Sequence, residues 1–108
     1  MSTEEFISQS LAPRFNLGVI QLSPSFFDAY GSWDIVETRA HELMCRHAIG
    51  DWGDIGDEDA GKNNIAAAHK GQLMSEYSVG AAGGEQIKVW VITDPGHATT
   101  TMLLPSEY

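Results

Sequence analysis

Hydrophobic residues recur every three or four positions in the middle of the chain and every second position towards its C-terminal end. Residues 33–49 follow Ser32, a suitable N-cap, and carry an apolar stripe at helical spacing. The stripe comprises Ile35, Val36, Ala40, Leu43, Met44 and His47. Gly50 follows it, and glycine tolerates the left-handed conformation that ends many helices. The pattern therefore predicts a helix over residues 33–49.

A second helix is predicted after an acidic turn. Asp57 or Asp54 can provide its N-cap, and acidic residues occupy its first turn. Its last turn contains His69 and Lys70. Negative charge at the start and positive charge at the end both favour the helix macrodipole, so the charge pattern indicates a helix that ends at residue 70.

Strand-like alternation of apolar and polar residues begins after the second helix. The predicted strands cover residues 73–79, 87–92 and 99–104. The connections are a glycine-rich loop at residues 80–84 and a turn at residues 94–96. Connections this short join antiparallel neighbours, so the pattern predicts an antiparallel meander.

The N-terminal part adds one more candidate strand. Residues 17–22 form a short apolar run, and residues 23–30 predict a turn or a helical start before Gly31. Residues 1–16 lack periodicity and predict a loosely ordered arm before a single domain of residues 17–108. Helices grouped before strands indicate an α+β fold, in which two to three helices cover one face of an antiparallel three- to four-stranded sheet.

Charge narrows the classes of function. The 108 residues include fifteen acidic and six basic ones, which gives a formal net charge of -9. This charge repels phosphate backbones and anionic lipid, so we expect no direct binding to nucleic acid or membranes, and any charged partner should be basic. No phosphate-binding glycine motif is present, and we expect no cofactor. The lone Cys45 excludes an internal disulfide, and with no signal peptide it indicates a cytoplasmic location.

Five carboxylates and one aromatic residue are concentrated after the first predicted helix, without a Lys or Arg among them. They are Asp51, Trp52, Asp54, Asp57, Glu58 and Asp59. One interpretation is a rigid acidic surface with an aromatic anchor, suited to docking on a basic protein surface. We favour a purely structural role over a ligand site for this turn: Asp51 and Asp54 would bond backbone amides and cap the next helix, while Trp52 packs on the sheet. The two roles are compatible.

His47, Asp51 and Asp54 offer an alternative, enzymatic interpretation. Imidazole and carboxylates together suit divalent cations or acid/base chemistry, as in a small metal-dependent hydrolase or nuclease. However, His47 falls on the apolar stripe of its helix, where it would donate to a loop carboxylate or carbonyl and hold the turn in place. We favour that structural role, and the sequence predicts neither a metal site nor a catalytic group.

Trp90 lies on the middle strand of the predicted meander, a position typical of core residues. If the outer face of the sheet is uncovered, Lys88, Trp90 and Ile92 would together offer a surface patch. The chain would then act as a homodimeric scaffold.

Five motifs follow a family pattern over about the C-terminal two thirds of the chain: Arg46-His47, Gly50-Asp51-Trp52-Gly53-Asp54-Ile55, Asp59 with Asn63 or Asn64, Val89-Trp90-Val91-Ile92-Thr93, and Thr100 through Leu103-Leu104-Pro105 to Tyr108. They resemble motifs of a family of short, acidic, uncharacterised proteins of plasmids, phages and other mobile elements, often described as plasmid-related. The chain departs from the family at residues 94–98, where an Arg-containing turn is expected. The resemblance implies an interaction protein of a mobile element, by analogy with small acidic proteins that block host defence enzymes. The acid cluster and the charge excess add the expectation that it docks on a basic site of a host protein. This non-enzymatic interaction protein is the leading hypothesis.

Overall fold

The structure, a computed structural model, describes residues 13–108. In chain order its elements are β1 (Val19–Leu22), α1 (Pro24–Tyr30), α2 (Trp33–Ala48), α3 (Asp57–His69), β2 (Leu73–Gly80), β3 (Gln86–Thr93), β4 (Thr99–Leu103) and a 3₁₀ turn (Pro105–Glu107). The predicted α+β class is confirmed. Residues 1–12, most of the predicted N-terminal arm, lie outside the described residues.

The ends of the helices test the capping predictions. Ser32 occupies the predicted N-cap position of α2, but its side chain makes no capping hydrogen bond. At the other end Ile49 is the C-cap, and Gly50 follows it in the left-handed conformation, with a φ of 87°. The predicted cap of α3 was wrong: Gly56 occupies the N-cap position, and no side chain bonds the free amides there. Asp57 lies inside the first turn, and the carboxylate of Asp54 is engaged elsewhere.

The sheet has the strand order β1-β4-β3-β2 within the described residues. The predicted antiparallel meander of β2, β3 and β4 is confirmed. However, β1 pairs in parallel with β4, with Val19 opposite Thr99, so the sheet is mixed and the prediction of an antiparallel sheet was wrong. Three helices and two strands separate β1 from β4, and parallel neighbours require a long crossover of this kind.

Helices α1 and α2 pack on one face of the sheet and form the core with it. The buried side chains of this core include Phe26, Tyr30, Val36, Ala40, Leu43, Tyr77, Val89, Val91 and Met102. Ile35 was predicted on the same stripe, but it is 48% exposed. Adjacent residues point about 100° apart around a helix, so the burial of Val36 turns Ile35 outward.

Helix α3 lies against the outer edge of β2. The side-chain amide of Asn63 exchanges two hydrogen bonds with the backbone of Met74, at 2.8 and 3.2 Å. The backbone of Glu76 bonds the carbonyl of Trp52 and the amide of Asp54, at 3.2 and 2.7 Å. These contacts occupy the outward peptide groups of Met74 and Glu76, which an edge strand otherwise leaves open. They also fix the acidic turn to the sheet.

Candidate functional site

Internal contacts hold the carboxylate of Asp51. Its oxygens accept hydrogen bonds from Arg46, the shorter being 2.7 Å from Nε, and from the amide of Gly53 at 3.3 Å. The Asp51 carbonyl accepts a hydrogen bond of 2.6 Å from the Tyr77 hydroxyl. The Arg46 guanidinium also lies over the Tyr77 ring, 4.4 Å from its centroid. Arg46 therefore compensates the charge of Asp51 within the molecule.

Asp54 is paired in the same way with strands β2 and β3. Its Oδ2 accepts a hydrogen bond of 2.6 Å from the Ser78 hydroxyl and one of 3.2 Å from Lys88 Nζ. The hydrogen bond from Ser78, and then the one from Lys88, hold the pKa of Asp54 below its ordinary value. Asp51 and Asp54 are thus both hydrogen-bonded to a cation of the same molecule.

Trp52 is buried, with 6% of its surface exposed, so it does not provide the predicted aromatic anchor. Its Nε1 donates a hydrogen bond of 3.2 Å to Asn64, and its ring lies 5.6 Å from His47 and 6.2 Å from Phe15. Burial of the Trp52 ring in this aromatic cluster stabilises the folded protein, because it removes a large apolar area from solvent. The structural interpretation of Trp52 is the one that the geometry supports.

Asp57, Glu58 and Asp59 lie in the first turn of α3 and are exposed. Lys62 is the only cation paired with them among the described residues, and its Nζ lies 3.8 Å from Glu58 and 3.9 Å from Asp59. Such contacts between exposed side chains contribute little stability. We call these three carboxylates the α3 acidic turn. The side chains of Asp51 and Asp54 are also about half exposed, at 45% and 48%, but close hydrogen bonds to Arg46 and Lys88 already engage their carboxylates.

His47 is fully buried and belongs to a chain of hydrogen bonds across the core. Its Nδ1 lies 2.6 Å from the Ser75 hydroxyl, and its Nε2 lies 2.9 Å from the Thr93 hydroxyl. Thr93 bonds Thr100 at 2.8 Å, and Thr100 donates to the carbonyl of Leu17 at 2.7 Å.

The last hydrogen bond of this network determines which group donates in each of the others. The Thr100 hydrogen goes to Leu17, so Thr100 must accept from Thr93, and Thr93 must accept from Nε2–H of His47. Burial lowers the pKa of His47 to about 3, so the imidazole is neutral at pH 7 and Nδ1 accepts from Ser75. Both nitrogens of His47 are satisfied, and they bond hydroxyls instead of the predicted loop carboxylate or carbonyl.

The structure does not bring His47, Asp51 and Asp54 together. His47 bonds core hydroxyls, while the two carboxylates pair with Arg46 and Lys88. Across residues 13–108, no group of three or more His, Cys, Asp or Glu side chains could hold a metal ion. These contacts give the three residues structural roles.

We expect the stability of the protein to fall between neutral pH and about pH 5. Burial, and then the charge of His97, lower the pKa of His47 from 6.5 to about 3. The unfolded chain therefore binds a proton in this range that the folded chain does not, and the free energy of unfolding should fall by up to about 1.4 kcal/mol per pH unit. Urea unfolding at each pH measures this loss.

The matched comparison for this pH dependence is a His47→Gln variant, which does not titrate. Its free energy of unfolding should change less than that of the wild type over the same range. Equal slopes for the two proteins would contradict the assignment to His47.

The predicted patch on the outer face of the sheet is partly engaged within the molecule. Lys88 bonds Asp54 and Ser78, and Ile92 is only 6% exposed. Trp90 is half-buried; its Nε1 donates to Glu76 at 3.1 Å, and its ring makes an edge contact with Tyr108. The homodimeric scaffold stays a prediction.

Sequence reasoning missed the hydroxyl partners of His47. Ser75 lies between Leu73 and Tyr77 on the inward side of the alternation in β2, and Thr93 continues the inward side of β3. Polar residues at inward positions, combined with a histidine on a buried helical stripe, are the signal that could have indicated a buried network.

Comparisons with known proteins supply no family for this chain. No family model matches the sequence, no curated protein matches it, and no solved structure matches it. The resemblance to plasmid-related proteins is therefore still a prediction from motifs. Within residues 13–108, no helix is both long enough and apolar enough to cross a membrane.

Proposed function

We propose that this protein is a non-enzymatic interaction protein that docks an acidic surface on a basic site of a partner protein. The α3 acidic turn, Asp57, Glu58 and Asp59, forms the centre of this surface. The observation that carries the proposal is that these side chains face solvent with one cation between them, whereas Asp51 and Asp54 are compensated internally.

The distribution of cations supports this assignment. Four of the six basic residues of the chain pair with carboxylates of the same molecule: Arg39, Arg46, Lys62 and Lys88. Most of the positive charge is therefore already paired, and the excess of carboxylates determines the surface potential. Such a potential attracts basic surfaces and speeds association with them.

The partner class follows from charge, and its biological setting follows from the resemblance alone. A basic site on a host protein, including a host defence enzyme inhibited by a mobile element, is the partner that the proposal names. Nucleic acid and anionic membranes carry the wrong charge for this surface.

Neutralising the α3 acidic turn should weaken capture of the partner. We expect the triple variant Asp57→Asn, Glu58→Gln, Asp59→Asn to bind about tenfold more weakly, because removal of interface charge slows association and reduces attraction. The measurement is quantitative pull-down from the source cell at low salt, followed by titration of the isolated pair. Added salt should weaken binding to the wild-type protein.

The matched control neutralises three exposed carboxylates elsewhere: Glu42→Gln, Glu85→Gln, Asp94→Asn. Both variants have the same net charge, so only the position of the charges differs. If the control weakened capture as much as the α3 variant, binding would depend on overall charge and the proposed surface would be wrong. Salt-independent capture would also contradict the proposal.

A further inference from the structure

An apolar groove of about 520 Å³ lies between β1, α1 and α2. Strand β1 contributes Ile20 and Leu22 to its wall. Helix α2 contributes Trp33, Ala40 and Met44, which follow one another at helical spacing and so form one stripe. The groove therefore runs between the side of a helix and the edge of the sheet.

The edge of β1 that faces this groove is open in the described part of the chain. Val19 and Ser23 donate their amides to Ala98 and Met102 on the β4 side. In a parallel pair, alternate residues direct both peptide groups to the neighbouring strand, so Ile20 and Leu22 direct theirs away from β4. At the opposite edge of the sheet, Asn63, Trp52 and Asp54 occupy the outward peptide groups of Met74 and Glu76 on β2. The β1 edge therefore offers a site for a further strand at Ile20 and Leu22.

Two exposed aromatic side chains stand at the groove. Trp33 is 58% exposed and Phe27 is 36% exposed, with their rings 6.0 Å apart. Aromatic residues at the wall of an apolar groove are common anchor sites for a partner because they bury much area with little loss of side-chain entropy.

Charge distinguishes the possible occupants. Glu37 lines the groove, and Asp28 and Asp34 adjoin its two aromatic residues in sequence. None of these three carboxylates has an ion pair within residues 13–108. A second copy of the chain would bring a net charge of -9, and residues 1–12 carry two glutamates and no cation. Both occupants would meet like charge, whereas a basic segment would meet its complement.

We propose that this groove binds an extended, basic and apolar segment of a partner protein, which adds as a strand to β1. Its backbone pairs with Ile20 and Leu22, its inward apolar side chains fill the groove against α2, and a Lys or Arg meets Glu37. Strand addition supplies affinity through main-chain hydrogen bonds and specificity through alternate side chains. This surface lies apart from the α3 acidic turn and does not depend on the role proposed for it.

The probe for this surface is a library of short random peptides selected against the full-length protein. We expect enrichment of peptides that alternate apolar residues with Lys or Arg. A selected peptide should protect the amides of Ile20 and Leu22 from hydrogen exchange. Its affinity should fall about tenfold in a Glu37→Lys variant and in a Trp33→Ser variant, since one removes the complementary charge and the other an anchor. Both positions are exposed, so both variants should fold.

The α3 triple variant is the matched control, and it should bind the selected peptide with at most a modest loss from its lower net charge. This control separates the two proposals, because failure at either surface leaves the other testable. Enrichment of acidic peptides, or binding that leaves the Ile20 and Leu22 amides unprotected, would overturn the inference. Protection of both amides in the free full-length protein, or in a self-associated form, would also overturn it, since the edge would then already be covered.

Discussion

Replacement of His47 by alanine is expected to lower the free energy of unfolding by about 3–5 kcal/mol. Two effects of the substitution both destabilise the folded protein. The substitution leaves a cavity in the core, and it removes the hydrogen-bond partner of Ser75 and one partner of Thr93, both of which are fully buried. Urea unfolding monitored by tryptophan fluorescence measures the change in the midpoint.

The control for this experiment is His69→Ala. His69 is exposed in the last turn of α3, so its loss should change the free energy of unfolding by no more than about 0.5 kcal/mol. A cost below about 1 kcal/mol for His47→Ala would show that the buried chain of hydroxyls does not depend on the imidazole.

The second large effect is expected at Gly53, where substitution by alanine should cost about 2–4 kcal/mol. Gly53 has a φ of 75°, and an added Cβ would overlap the carbonyl oxygen of Glu76. The backbone would have to move away from β2, which would break the hydrogen bonds that Trp52 and Asp54 make with Glu76. Thermal and urea unfolding both report this loss.

The cost of Gly53→Ala has two contributions, the positive φ and the overlap of the added Cβ with Glu76. A Gly31→Ala variant separates them. Gly31 has a φ of 66°, but an added Cβ there would meet nothing within 4 Å. Its cost should therefore reflect backbone conformation alone, about 1 kcal/mol. Equal costs for the two variants would mean that the close approach of Gly53 to β2 does not contribute to stability.

Local patterns in the sequence were sufficient to predict most of the elements. The stripe of α2 and the alternation in β2 and β3 each depend on residues close in sequence, and short turns fix their direction. The pairing of β1 with β4 was beyond reach, because it joins residues about 80 positions apart. No local pattern predicts whether two strands distant in sequence will pair in parallel or antiparallel.

The acidic turn shows the same limit at the level of side chains. The partner of Asp51, Arg46, is five residues away, but that of Asp54, Lys88, is 34 residues away on another strand. Sequence reasoning identified an unpaired run of carboxylates because both cations lie outside it. It also gave Trp52 two roles, and only the contacts across the fold distinguish burial from exposure.

The pairing of β1 with β4 also orders events during synthesis. Val19–Leu22 is translated early, yet its neighbour Thr99–Leu103 leaves the ribosome only after every other strand of the described sheet. The apolar segment of β1 therefore remains unpaired while the rest of the sheet is translated. The pairing of β1 with β4 becomes possible only once β4, the last strand of the described sheet, has been translated. Contacts between such distant segments slow folding, and an unpaired apolar strand is prone to misassociation until its partner has been made.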